Sequence, residues 1–169
     1  MGSRVYFYLI YVYFFKKTKK KHKFILNSET FIIEGIKEFI KFADQGKVAI
    51  ENQDFDKLAE LLDNSFNQRR KIYTDQVLGK ENIKMVNLAR DCGFSAAFTG
   101  SGGAIVCLLK NNKEQDNKRR KVENGNKDYH QRELNEEEEE EVKKRFENEG
   151  FIFEKIRIKE NDVEPTFIW

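Results

Sequence analysis

Proline is almost missing from this chain. Its single example, Pro165, lies close to the C-terminus, so no proline interrupts a helix by removing an N–H and fixing φ. Cysteine is equally scarce. Cys92 and Cys107 show no metal-ligand spacing and cannot build a disulfide framework, which points to a reducing cytosolic setting. The two histidines, His22 and His130, sit in polar, lysine-rich surroundings. Neither has a carboxylate or cysteine at useful spacing, so no nucleophile–base constellation for hydrolysis is readable. Long apolar runs are missing too. Val5–Phe15 is far short of the ~20 residues of a membrane-spanning helix. The lysines mostly follow that run rather than precede it, and no small-residue cleavage site comes after it, unlike a signal peptide. With a formal net charge of only +2, the molecule has no strong field to gather nucleic acid. The glycine-and-aromatic octamer of RNA-recognition strands is also missing.

What is present is enough for a folded core. Hydrophobic residues make up 39% and aromatics 13% of the chain, too many for a wholly disordered polypeptide. A length of 169 residues suits one domain with appendages, because single cores commonly occupy ~100–150 residues. The domain is expected over residues 5–160, with a tail over 161–169. Charge is clustered: Lys16 to Lys23 and Lys118 to Lys121 are basic, Glu136 to Glu141 acidic. Such runs are usually solvated loops or helix faces.

Along the chain, Val5–Phe15 is rich in Tyr, Phe, Val and Ile and reads as a central strand, apolar on both faces. From Phe31 the period becomes helical, with Ile32, Ile36, Phe39, Ile40 and Ala43 as the expected buried stripe. Gly46 is expected to bend or weaken that helix. Asp54 is a natural N-cap for a second helix, which buries Phe55, Leu58, Leu61, Leu62 and Phe66. Its last turn carries Arg69, Arg70 and Lys71, where cations complement the helix dipole. A third helix runs from about Glu81 to Cys92, stopped by Gly93.

Strand, glycine turn and strand follow: Ala96–Thr99, Gly100–Gly103 and Ala104–Leu109. Residues 110–133 read as a flexible charged insertion. A fourth helix spans about Glu136 to Glu149, with Glu139/Lys143, Glu140/Lys144 and Glu141/Arg145 at the stabilising four-residue spacing. A last strand covers Phe151–Ile158. This order predicts an α+β fold, a ferredoxin-like β-α-β-β-α-β sandwich with extra helices in the first crossover and helices over one sheet face.

The turn Gly100-Ser101-Gly102-Gly103 has two readings. It serves as a hairpin turn, since glycine adopts positive φ without steric cost. Equally, it lets backbone amides approach an anion, with the Ser101 hydroxyl as a further donor. Neither GxxxxGK[ST] nor GxGxxG occurs in the chain, so the common nucleotide-binding signatures are missing. Arg69 and Arg70 are similarly open to two readings, a solvated helix end or a bidentate site for carboxylate or phosphate.

Phe98-Thr99-Gly100-Ser101-Gly102-Gly103-Ala104 resembles the third conserved motif of the GHMP kinases, the galactokinase, homoserine, mevalonate and phosphomevalonate kinase superfamily. Several blocks before it resemble the glucuronate kinases in the same order: Asp56-Lys57-Leu58-Ala59-Glu60-Leu61, Phe66 with Arg69-Arg70, Val77-Leu78-Gly79, and Asn82-Ile83-Lys84-Met85-Val86. The resemblance covers most of residues 8–109. It implies the C-terminal domain of a kinase that transfers a phosphoryl group from ATP, with Mg2+, to the anomeric hydroxyl of a sugar such as a uronic acid. Thr99, Gly100, Ser101, Gly102 and Gly103 would line the ATP and sugar cleft, and Arg69 and Arg70 would bind substrate. No catalytic residue and no metal ligand is assigned.

The family's proline-initiated ATP-binding segment, Pro-x-x-x-Gly-Leu, has no counterpart in these 169 residues. The resemblance therefore implies inactivity alone, with an N-terminal domain supplying the opposite wall of the cleft. The competing expectation is a non-catalytic ferredoxin-like module that binds a small ligand or a protein partner at the exposed domain interface. Neither nucleic acid nor membrane is expected as a partner.

Overall fold

Strand β1 (Tyr6–Tyr11) lies inside a four-stranded sheet, between β3 (Ala104–Leu109) and β4 (Ile152–Arg157), with β2 (Phe94–Phe98) beyond β3. The computed structural model describes residues 6–11, 29–111 and 131–157. Every pairing is antiparallel, with Tyr8 opposite Cys107 on one side and Lys155 on the other. Helices α1 (Glu29–Glu51), α2 (Phe55–Leu78) and α3 (Lys80–Asp91) join β1 to β2, and α4 (Glu136–Asn148) joins β3 to β4. Strand order β2-β3-β1-β4 is that of the split β-α-β-β-α-β unit, as expected. Residues 1–5, 12–28, 112–130 and 158–169 lie outside the described residues. With them go the end of the Val5–Phe15 run, both lysine runs, His22, His130, most of the insertion and the tail.

Side chains alternate between the sheet's two faces, and each face has its own core. On one, Tyr8, Ile10, Ile105, Cys107 and Phe153 pack with Met85, Val86 and Ala89 of α3 and with Val142 and Phe146 of α4. On the other, Leu108 meets Ala49 of α1 and Phe55, Leu58 and Ala59 of α2, with Phe7 against them. The expectation of helices over a single face is thus incomplete. The end of α1 and the start of α2 cover part of the second face. The long first crossover makes this arrangement possible, because α2 begins under Leu108 and reaches the first core at Phe66.

Between those points α2 runs past β2, an edge strand whose outer N–H groups have no sheet partner. Asp63 takes over there. One carboxylate oxygen accepts hydrogen bonds from the Ala96 amide (3.3 Å) and Arg90 Nε (3.0 Å); the other meets Ser95 Oγ (3.0 Å) and Lys110 Nζ (2.8 Å). A single carboxylate thereby ties α2 to α3, β2 and the end of β3.

Helix α1 corrects the expected stripe. The row facing α2 is Ile32, Gly35, Phe39, Phe42, Gly46 and Ala49, all buried or half-buried, whereas Ile36, Ile40 and Ala43 are exposed. Glycine does the work that large apolar residues were expected to do. A Cβ on Gly35 would lie 2.5 Å from Ile72 Cδ1, so only glycine admits α2 this closely. Gly46 does not bend the helix, which is continuous from Glu29 to Glu51. Sequence reading ranks residues by hydrophobicity, and close helix–helix approach ranks them by size.

The Asp54 cap forms as expected, its carboxylate accepting the Lys57 amide at 2.9 Å. Helix α2 is kinked at Thr74, whose φ of 61° and ψ of 160° lie in a region essentially reserved for glycine. Arg69–Lys71 therefore do close a helical segment, the one that ends before Thr74. Arg70 braces the kink through two hydrogen bonds of 2.5 Å to Asp75. That hydrogen bonding holds the Asp75 carboxyl below its ordinary pKa. Thr74→Gly is expected to stabilise the chain by about 1 kcal/mol, the strain released exceeding the extra chain entropy of glycine. Urea unfolding checks this; Thr74→Ala, which keeps its Cβ, is expected to bring no such gain.

At the far side of the sheet, Asn135 and Glu138 form a reciprocal capping box at the start of α4. Of the expected i,i+4 pairs, Glu140–Lys144 forms at 3.4 Å. Glu139 turns to Lys155 of β4 instead, joining Glu133 on the same ammonium, each at 2.8 Å. Partial burial opposes the Lys155 charge, yet the two carboxylates outweigh it and raise its pKa.

Candidate functional site

The turn between β2 and β3 is built from strand ends and held by two helices. At its base, the Thr99 amide and hydroxyl both donate to the Ala104 carbonyl (3.2 and 3.3 Å). From α3, Asn82 Oδ1 accepts the Gly103 amide at 2.8 Å, while its Nδ2 donates to the Leu78 carbonyl at 2.7 Å. From α2, an Arg69 guanidinium nitrogen donates to the Gly100 carbonyl. The loop is thus gripped at both ends by side chains some twenty to thirty positions earlier in the chain.

Beneath Arg69 lies a ladder of rings and cations. The Arg69 guanidinium sits 5.5 Å from the centroid of Phe98, which packs edge-on to Phe66 at 5.4 Å. Arg90 covers the other ring at 5.0 Å from the Phe66 centroid. Phe66 is fully buried and belongs to the main core, so the loop's brace is anchored in the most rigid part of the molecule. Such cation–π contacts add roughly 0.5–2 kcal/mol each. More important here, they fix the direction in which Arg69 reaches the loop.

Gly102 shows why the turn needs glycine. Its φ is +129°, and a Cβ would fall 2.8 Å from Asn82 Nδ2. Gly100 and Ser101 are exposed, Gly102 and Gly103 half-buried. The amides of Gly100, Ser101 and Gly102 make no hydrogen bond to any described residue. A pinned turn with three free amides and a serine hydroxyl supplies several donors close together, the chemistry that receives phosphate or carboxylate oxygens. It offers no carboxylate. Among the described residues there is likewise no group of three or more His, Cys, Asp or Glu arranged for a metal.

Of the expected site residues, Arg69 and Thr99–Gly103 come together. Arg70 does not join them. It points to Asp75 at the kink, and its guanidinium is engaged there. The residue that sequence reading missed as part of this site is Asn82. Its block was recognisable, but nothing in the spacing joined it to a turn 21 residues on. Cys107 is buried and its burial pushes the thiol pKa well up; burial raises the Cys92 thiol as well. Burial thus favours the neutral thiol at both positions. A separate open cavity of about 730 Å3 lies along α3, between Asp75, Lys80, Lys84 and Glu149, and includes none of the turn residues. No helix among the described residues is long and apolar enough to cross a membrane.

Comparison with known proteins agrees with the turn. Residues 47–128 match the family model described as GHMP kinases C terminal, a span holding α2, α3, β2, β3 and the turn between them. Over 81 residues, 48% of this chain, the sequence is 44% identical to Glucuronokinase 1 and 43% identical to Probable glucuronokinase 2, both of Arabidopsis thaliana. The alignment covers 22% of each relative's length. The segment that builds and braces the glycine turn is the part of the chain that matches the GHMP kinase C-terminal family model, and its α+β architecture is consistent with that match.

Proposed function

We propose that this chain forms one wall of the cleft of an ATP-dependent sugar-1-kinase of the glucuronokinase kind, acting on the anomeric hydroxyl of a sugar such as glucuronate. The observation that carries this reading is the braced glycine turn, with three amides that make no hydrogen bond to any described residue. Phosphoryl transfer is catalysed chiefly by positioning and by neutralising charge on phosphate oxygens. Amides that are already oriented stabilise that charge without reorganising, and the Arg69 and Asn82 brackets provide the orientation. Arg69 also places a guanidinium beside the turn for a uronate carboxylate or a phosphate. Arg70, committed to Asp75, supports α2 rather than the substrate.

ATP and Mg2+ belong to this reading as co-substrate and counter-ion. The turn fits phosphate oxygens; it carries no carboxylate, the side chain by which proteins usually hold magnesium, so magnesium ligands come from elsewhere in the complete cleft. When bound, magnesium would neutralise phosphate charge. The ATP-binding segment is supplied by further polypeptide, and two free thiols are compatible with a reducing cytosolic setting.

The test is complementation. The 169-residue chain is co-expressed with the part of Glucuronokinase 1 that precedes the aligned region, and ATP-dependent sugar-1-phosphate formation is measured with glucuronate and other sugars. Turnover is expected only when both parts are present. A co-purifying, folded pair that phosphorylates none of the sugars would overturn the reading. Robust turnover by the chain alone would remove the need for a second part.

A further inference from the structure

Helix α1 carries two apolar rows, and only one is used. The row of Ile32, Gly35, Phe39, Phe42, Gly46 and Ala49 faces α2. The adjacent row is Ile33, Ile36, Ile40, Ala43, Lys47 and Ile50, again at alternating spacings of three and four, the repeat of a coiled-coil seam. Its isoleucines are exposed: Ile33 46%, Ile36 50%, Ile40 57% and Ile50 56%. At ~1.5 Å per residue the row is about 27 Å long. A contiguous apolar ridge of this kind marks an interaction surface.

The charges beside the row identify the occupant. Lys37 and Asp44 stand seven residues apart along its flank, both exposed, and neither has an ion-pair partner among the described residues. We propose that this row pairs antiparallel with the same row of a second copy of the chain. In a two-fold antiparallel pair, Ile33 lies over Ile50 of the partner copy and Ile40 over Ala43 of the partner copy. Ile36 meets the apolar stem of the other copy's Lys47, whose ammonium reaches its own Glu51 at 3.8 Å.

In the same register each Lys37 faces Asp44 of the other copy, giving two equivalent ion pairs. A parallel pair would bring Lys37 against Ile32 and Asp44 against Phe39 of the other copy, leaving both charges without partners. Self-complementarity of this kind is what a two-fold interface requires. Each exposed ion pair adds little on its own, yet together they select the orientation. A helix pair of this length falls below the ~1,200 Å2 of standard interfaces, so the dimer is weak, with Kd on the order of tens of micromolar.

Sedimentation velocity of the whole chain from about 1 to about 500 µM, spanning the weak-interface range, tests the proposal. A concentration-dependent passage from monomer to dimer is expected. Ile36→Asp with Ile40→Asp is expected to abolish it, with the circular dichroism spectrum unchanged because both side chains are exposed. Lys37→Glu sets two acidic pairs against each other and is expected to weaken the dimer roughly tenfold. Lys37→Glu combined with Asp44→Lys restores it to within about threefold of the original. A chain that stays monomeric throughout overturns the proposal and leaves the kinase reading intact. So does a dimer that ignores the aspartates, or one that the double reversal fails to restore.

Discussion

Asp63→Ala is expected to be the most damaging polar substitution in the chain, lowering stability by about 3 kcal/mol and the melting temperature by roughly 10 °C. The Asp63 side chain is 19% exposed and Arg90 26%, so this pair is shielded from the solvent that screens surface ion pairs. Removing the carboxylate strands several groups together. Arg90 loses its Nε partner, Lys110 its counter-ion and Ser95 its acceptor, and the Ala96 amide is left unpaired at the sheet edge. Unpaired buried donors are costlier than the bonds that satisfied them.

Asp63→Asn is the informative companion. It keeps one carbonyl oxygen for the Ala96 amide but removes the charge that Arg90 and Lys110 address, so an intermediate loss of about 2 kcal/mol is expected. Equilibrium urea unfolding of the three proteins reads both values. Equal stability of the wild type and the alanine variant would show that this node does not hold α2 to the sheet.

Gly102→Ala is expected to lower stability by about 2 kcal/mol, part of it from forcing an L-residue into positive φ and part from the lost Asn82 bonds. The added methyl falls 2.8 Å from Asn82 Nδ2. Asn82 cannot move aside without releasing the Gly103 amide or the Leu78 carbonyl. Adding Asn82→Ala to Gly102→Ala removes the clash but not the backbone strain, so only part of the loss is expected to return. Full recovery would mean that φ at this position is unimportant, and no loss in the single variant would mean that the turn is not pinned. In the complemented kinase, the same displacement of the amides is expected to reduce kcat/KM by about a hundredfold, the scale of losing an oriented backbone donor.

How far these features were legible in advance differs by element. The Asp54 cap, the buried face of α2, the strands around the glycine turn and the central place of β1 all follow from local residue pattern. Helix α1 does not. Its apolar residues form two neighbouring rows, and hydrophobic spacing alone cannot say which one is buried. Gly35 decides it, because Ile72 needs the space that any larger residue would fill. The kink at Thr74 was equally hidden, since a β-branched residue gives no local sign of a glycine-like backbone.

The candidate site divides along the same line. Residue order by itself determined that a glycine turn joins two strands and that Phe66, the paired arginines and the Asn82–Val86 block precede it, enough to suggest the kinase family. Tertiary structure alone decided which arginine reaches the turn. Arg69 and Arg70 are neighbours in sequence, but successive helical residues point about 100° apart. One therefore meets the Gly100 carbonyl beside the edge-on Phe66–Phe98 pair, and the other meets Asp75 at the kink. Asn82 joins the turn for the complementary reason: α3 packs over the sheet and delivers its first turn to Gly103. Pattern along the chain names the chemical groups, whereas packing of helices on the sheet sets which of them meet.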